Sequence, residues 1–257
     1  MTTPAFVIFH QPKTAGSYAH AVLPKGYVLG HYNNYHYCLK RNMLSEQTKL
    51  VCIVRCPLDY YISVITFWCL DPKYCKEIRT KSMTVLQEEY THNKTNEIGH
   101  PNYWMSRGFT ERDLHVILSN LFCEEFLLEH EGKLSKKHHT YDNYVFSTML
   151  RLDIGFYTFA FLCQYSRKKA SEIQTSEECR TELIYIHDNF IILNQKFMTE
   201  ELKALCVQYN VPFNDKEGKK MSSNRKRVSD YNFSNELIEK IKYKDRYMIE
   251  IFNLELF

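Results

Sequence analysis

Two short runs of continuous apolar residues mark the N-terminal fifth of the chain: Phe6-Val7-Ile8-Phe9 and Leu50-Val51-Cys52-Ile53-Val54. Neither alternates with polar residues, and the second is β-branched, so both predict buried parallel strands covered on two faces. Each breaks off abruptly. The first gives way to His10-Gln11-Pro12-Lys13-Thr14-Ala15-Gly16-Ser17, a small-residue turn, and then to a short helix from Tyr18 to Leu23, stopped near Pro24-Lys25-Gly26. The second ends at Arg55-Cys56-Pro57 and leads into helical character from Asp59 to Cys69. Two strand–turn–helix units in succession predict an α/β chain with a central parallel sheet flanked by helices.

Beyond them the pattern is mixed. Residues 71–112 are polar and rich in Lys, Asn, His and Thr, which suits helices and loops outside the sheet and a place for acceptor recognition. Asp113–Glu129 is apolar at helical spacing, Glu131–His139 reads as a charged turn, and Tyr144–Gln164 is an aromatic core stretch. Leu183-Ile184-Tyr185-Ile186 and Phe190-Ile191-Ile192-Leu193 both read as strands. Thr199-Glu200-Glu201 predicts a helix start with Thr199 near the cap, running to Tyr209 ahead of Pro212. Ser222–Arg227 is a basic loop, and Asn235–Phe252 a final amphipathic helix or helix pair. No repeat, low-complexity tract or linker interrupts residues 1–257, so a single domain is expected.

Composition narrows the function classes. The net charge of +3 is too mild for a dedicated nucleic-acid binder and suits one local basic pocket for an anion. Nine cysteines without CxxC pairs predict no zinc site; Cys52, Cys123, Cys163 and Cys206 sit in apolar runs as reduced thiols. No metal is expected. No stretch reaches the roughly 18 apolar residues of a membrane span, and the N-terminus lacks a signal-peptide pattern. A cytoplasmic location is the expectation, with a bacterial or viral origin left open, and the sequons at Asn93 and Asn232 are read as chance.

The chemistry lies in the two turns. Small side chains after Lys13 let backbone N–H groups close around an anionic oxygen at a helix N-terminus, with the lysine facing a bridging oxygen as its bond breaks. Walker A is excluded by order: no glycine precedes Lys13, and Gly16 follows it. Arg55, at the end of the next strand, offers a guanidinium fork to a phosphate, and Ser63 lies eight residues on.

The order Pro12-Lys13-Thr14-Ala15-Gly16-Ser17 resembles the phosphosulfate loop P-K-T-G-G-T of the sulfotransferases, with Ala15 in place of one glycine. That replacement suits a negative φ at residue 15. Val54-Arg55-Cys56-Pro57-Leu58-Asp59-Tyr60-Tyr61-Ile62-Ser63 resembles the same family's V-R-[DN]-P-x-[DE]-R-[FY]-x-S, in which the arginine and serine hold a 3′-phosphate. Cys56 and Tyr60 depart from it. Tyr243–Phe252 resembles a C-terminal D-x-x-[LM]-[YF] helix of carbohydrate sulfotransferases, and Gly30-His31 a segment whose histidine serves as base.

The resemblance implies a P-loop-nucleotide-hydrolase-like sulfotransferase fold and an enzyme moving a sulfuryl group from 3′-phosphoadenosine 5′-phosphosulfate (PAPS) to a hydroxyl, a glycan first among acceptors. It implies donor contacts from Lys13, Thr14, Ala15, Gly16, Ser17, Tyr18, Arg55 and Ser63, with Arg225 and Lys226 closing over the nucleotide. Lys13 and His31 are the implied catalytic pair, and Glu88, Glu89 and Glu97 stand as alternative bases. Two rivals remain: a P-loop kinase, against which the lysine order and Arg55 count, and a nucleotide-binding module that has lost catalysis.

Overall fold

A computed structural model of the chain describes residues 4–11, 14–29, 44–70, 114–129, 145–215, 231 and 233–256. The polar stretch 71–112, the charged turn 131–139 and the basic loop 222–227 lie outside them.

The centre is a four-stranded, all-parallel sheet in the order β2-β1-β3-β4. Its strands are β1 (Phe6–Phe9), β2 (Val28–Leu29), β3 (Lys49–Val54) and β4 (Ile191–Asn194). β3 pairs with β1 through Ile8 and Val51, and with β4 through Cys52 and Ile192. Side chains alternate between the two faces. Phe6, Ile8, Val51 and Ile53 point into one core, packed by helix α1 (Gly16–Val22) and by a helix spanning Met198–Gln208. Val7, Phe9, Leu50, Cys52 and Val54 point into a larger core on the opposite face. Both faces are covered, which is why these strands read as unbroken apolar runs.

The larger core gathers the remaining helices. In chain order they are α2 (Pro57–Leu70), α3 (Leu114–Asn120), α4 (Glu124–Glu129), α5 (Val145–Leu152), α6 (Phe156–Tyr165) and α7 (Ser176–Asn189). The Met198–Gln208 helix is α8, and α9 (Asn235–Lys244) and α10 (Arg246–Ile251) close the chain as the expected helix pair. Every residue of α6 is buried. Among the described residues no helix is long and apolar enough to cross a membrane.

Four sequence expectations are corrected. Leu183–Ile186 is not a strand but the inner face of α7, where Cys179, Glu182, Leu183 and Ile186 are buried at helical spacing. Thr175 caps that helix by accepting from the Glu178 N–H at 3.1 Å, and the Thr175–Glu178 spacing is a capping-box signature. The 113–129 stretch is two helices: Ser119 Oγ donates back to the His115 carbonyl, and tight turns at Phe122 and Cys123 replace the ladder. α1 starts at Gly16 rather than Tyr18. α8 starts at Met198, running on from a tight turn at Gln195–Phe197, so Thr199 is inside it. The capping there belongs to Asn194, whose side chain accepts from the Lys196 N–H while its own N–H donates to Glu201.

One buried carboxylate joins segments remote in sequence. Asp245, between α9 and α10, is fully buried, and its Oδ2 accepts from the Tyr61 hydroxyl at 2.7 Å. Its Oδ1 accepts from the Thr158 N–H at 3.0 Å and the Thr158 hydroxyl at 2.6 Å. The Tyr157 N–H donates to the Tyr61 hydroxyl at 3.1 Å, and the Gly155 N–H to the Lys244 carbonyl at 2.9 Å. The N-terminus of α6, which has no cap of its own, is thus capped from outside. Gly155 permits this approach: a Cβ there would lie 2.5 Å from Asp245 Oδ2.

Burial pushes the Asp245 carboxyl up to about 6, against the opposing pull of the Thr158 and Tyr61 hydrogen bonds and the nearby Arg246. An unfolded aspartate titrates near ~3.9, so between about pH 4 and pH 6 the folded chain holds a proton that the unfolded chain has released. The carboxyl's contribution is therefore full below about pH 4 and is lost as pH rises through about 6. Denaturant unfolding of wild type and Asp245→Asn should show the wild type's advantage shrinking by about 2–3 kcal/mol from pH 4 to pH 7. A pH-independent difference would contradict this account.

Candidate functional site

The chain runs from β1 to β2 on one side and places β3 on the other, so β1 and β3 flank the point where strand order reverses. The helices that follow them leave for opposite faces: α1 packs with Ile8 and Val51, α2 with Phe9 and Val54. Loops that diverge in this way open a crevice beyond the carboxyl ends of the strands, the usual ligand position in open α/β sheets. Both motif-bearing turns are at this edge. Lys13 and Pro12 lie outside the described residues, as do His31, Arg225 and Lys226 and the alternative bases Glu88, Glu89 and Glu97.

The turn after β1 is tightly built. His10 extends the strand pairing by donating its N–H to the Leu29 carbonyl at 2.7 Å. Thr14 is fully buried and its hydroxyl donates to the Gln11 carbonyl at 2.9 Å, so the threonine side chain closes the loop on itself. Ala15 follows at φ 68°, ψ 14°, a left-handed conformation, and is the N-terminal cap residue of α1. The negative φ that would suit alanine is not what the loop adopts. The position favours glycine, and the alanine methyl costs about 1 kcal/mol there.

Gly16 is required for a different reason. A Cβ at Gly16 would fall 1.7 Å from His10 Cδ2, so the imidazole of His10 rests directly on the glycine. His10, buried between strand tip and helix start, was not singled out by the sequence; its ring also meets His20 edge-on at 5.9 Å. Ser17 is exposed on the first turn of α1. Tyr18 turns towards α8, where its hydroxyl accepts from Thr199 Oγ1 at 3.0 Å.

The turn after β3 is anchored from the larger core. The Arg55 N–H donates to the Tyr157 hydroxyl at 2.9 Å, and the fully buried Tyr60 ring stacks at 4.3 Å from that of Tyr157. Burial pushes the Tyr60 phenol above its ordinary range, with the Arg55 charge and the Gln11 side chain pulling it back. Pro57 opens α2, where its missing N–H is harmless. Cys56, where the family pattern has an acid or amide, directs its thiol to the Leu256 carbonyl at 3.1 Å and so ties down the chain's last turn. Burial raises that thiol's pKa, which argues against a nucleophile. Ser63 is buried in the second turn of α2.

Thr14 to Tyr18 and Arg55 thus share one end of the sheet, with Ser63 further down the helix that leaves it. No family model, curated protein or solved structure matches the chain.

Adjacent substitutions in this loop should have opposite signs. Ala15→Gly relieves the left-handed alanine and should stabilise by about 0.5–1 kcal/mol. Gly16→Ala drives a methyl into His10 and should destabilise by about 1–3 kcal/mol. Thermal denaturation of the two variants checks this; a stabilising Gly16→Ala would refute the packing described.

Proposed function

We propose that the chain is a sulfotransferase that takes a sulfuryl group from PAPS and passes it to a hydroxyl acceptor, a carbohydrate in the first instance. The observation that carries the reading is the placement of its two anion motifs on neighbouring parallel strands, whose following helices diverge to opposite faces. An anion cradle beside β1 and an arginine beside β3 suit a nucleotide with phosphate at both the 5′ and 3′ positions of its ribose.

In the proposed reaction the acceptor oxygen attacks sulfur in line, forming the new S–O bond as the bond to the bridging phosphate oxygen breaks. The products are a sulfate ester and adenosine 3′,5′-bisphosphate. Lys13 neutralises the charge that gathers on the departing phosphate oxygen. Arg55 and Ser63 hold the 3′-phosphate and fix the donor's direction. His31 or one of the glutamates receives the acceptor's proton. Positioning and charge neutralisation carry most of the rate, as they do in phosphoryl transfer.

Calorimetric titration with adenosine 3′,5′-bisphosphate is the first test. Binding is expected, together with a raised melting temperature. If the protein neither binds this nucleotide nor is stabilised by it, the reading fails. Lys13→Ala should then lower transfer from radiolabelled donor by at least about 100-fold while the protein stays folded. Nucleotide binding without transfer to any glycan, peptide or phenol in a panel would instead identify a binding module that has lost catalysis.

A further inference from the structure

One helix reaches the ends of the two strands that lead into the motif turns. α6 is fully buried along its length, and two of its tyrosines, eight residues apart, reach the two central strands. Tyr165 donates its hydroxyl to the Phe9 carbonyl at 2.7 Å, at the last residue of β1. Tyr157 accepts from the Arg55 N–H at 2.9 Å, immediately after β3. Both side chains are completely buried. Phe161 stands between them, its ring 6.3 Å from Tyr157 and 4.6 Å from Tyr165, so the three form a continuous ladder.

The dimensions agree. Eight residues of α-helix rise about 12 Å. On the sheet, Ile8 pairs with Val51, which sets Phe9 level with Cys52 and Arg55 three residues further on. Three strand residues span about 10 Å, and the neighbouring strand adds about 4.8 Å sideways, a diagonal of about 11 Å. The helix matches the diagonal between the two turns it touches.

We propose that α6 is the template that fixes the spacing between the two anion-binding turns, with Tyr157 and Tyr165 as positioning residues for Arg55 and for the Lys13 loop respectively. The inference rests on the proposed reading of the site as one for a 3′,5′-bisphosphorylated nucleotide. Neither tyrosine touches the ligand. Tyr157 acts on Arg55 through the backbone: with its hydroxyl gone, the Arg55 N–H loses its acceptor and the turn no longer has one defined position. Tyr157 is itself fixed at the far end, because its own N–H is bound to Tyr61 and through Tyr61 to Asp245.

The test measures affinity for adenosine 3′,5′-bisphosphate and for adenosine 5′-phosphate, which lacks the group assigned to Arg55. Tyr157→Phe should weaken the bisphosphate by about threefold to tenfold, the worth of one hydrogen bond, and the monophosphate by less than about twofold. In an Arg55→Ala background the same substitution should add nothing, because both act on one contact. Tyr165→Phe should weaken the two nucleotides equally. Equal losses for Tyr157→Phe, no loss, or a full loss persisting without Arg55 would overturn the proposal, since a merely structural tyrosine gives those patterns. Hydrogen exchange of the Arg55 amide in the unliganded wild type adds a measurement that needs no variant: it should be slow, and free exchange would remove the clamp. If the wild type binds neither nucleotide, the functional reading fails with the inference, whereas a slow Arg55 amide would still mark the clamp as present.

Discussion

The carboxylate of Asp245 is the contact on which the larger half of the molecule depends. It is fully buried and accepts three hydrogen bonds from two segments far away in the chain. A buried helix start leaves N–H groups that neither water nor the helix can satisfy, and each such group costs about 1–3 kcal/mol. The N-cap residue of α6 is a glycine, which has no side chain to cap it. Asp245, with Tyr61 and the Lys244 carbonyl, supplies what is missing. The C-terminal helix pair is thereby joined to α2 and α6 by polar geometry as well as apolar packing, and polar geometry specifies one arrangement where apolar packing tolerates several.

From that contact the constraint runs towards the sheet. Tyr61 orients the first turn of α6, Tyr157 projects from the same turn to Arg55, and Tyr165 leaves the other end for Phe9. Among the described residues the opposite face has no equivalent. α1 and α8 pack there on Phe6, Ile8, Val51 and Ile53, with the Tyr18–Thr199 hydroxyl pair between them. The end of β1 therefore has a hydrogen-bonded wall on one side and a lighter cover on the other. On either side of Pro12 and Lys13, the Thr14 hydroxyl is fastened to the Gln11 carbonyl and the His10 ring rests on Gly16.

Much of this was legible in the chain, for a definite reason. β1 and β3 are covered on both faces, and covered parallel strands leave continuous apolar runs whatever surrounds them. The same rule misled at Leu183–Ile186, where four apolar residues in a row belong to a helix; the capping pair Thr175 and Glu178 was the available correction. The two motif turns stood out because glycine, lysine, arginine and proline each have a narrow set of local uses, and their described residues do lie at one end of the sheet. Tyr157, Tyr165 and Asp245 did not. Their partners are 102, 156 and 184 residues away in sequence, and a buried tyrosine looks the same in a sequence whether its hydroxyl is structural or idle. Ala15 was legible as an exception but not in sign, because φ at a loop residue follows from closure of the whole turn.

The protonation of Asp245 sets a limit on how that network can work. In the ionised form its three donors all point inward, and the N-terminus of α6 adds favourable partial charge, so every hydrogen bond is made while desolvation opposes the charge. In the neutral form the carboxyl must itself donate. The Tyr61 oxygen already accepts from the Tyr157 N–H, and its one proton is directed at Asp245. Of the three donors to Asp245 the Thr158 hydroxyl, 2.6 Å from Oδ1, can reverse its role: with Oδ1 protonated it turns to accept, and the Tyr61 hydrogen bond to Oδ2 stays in place. A carboxyl pushed up by burial to about 6 can thus take up its proton without giving up the α6 cap.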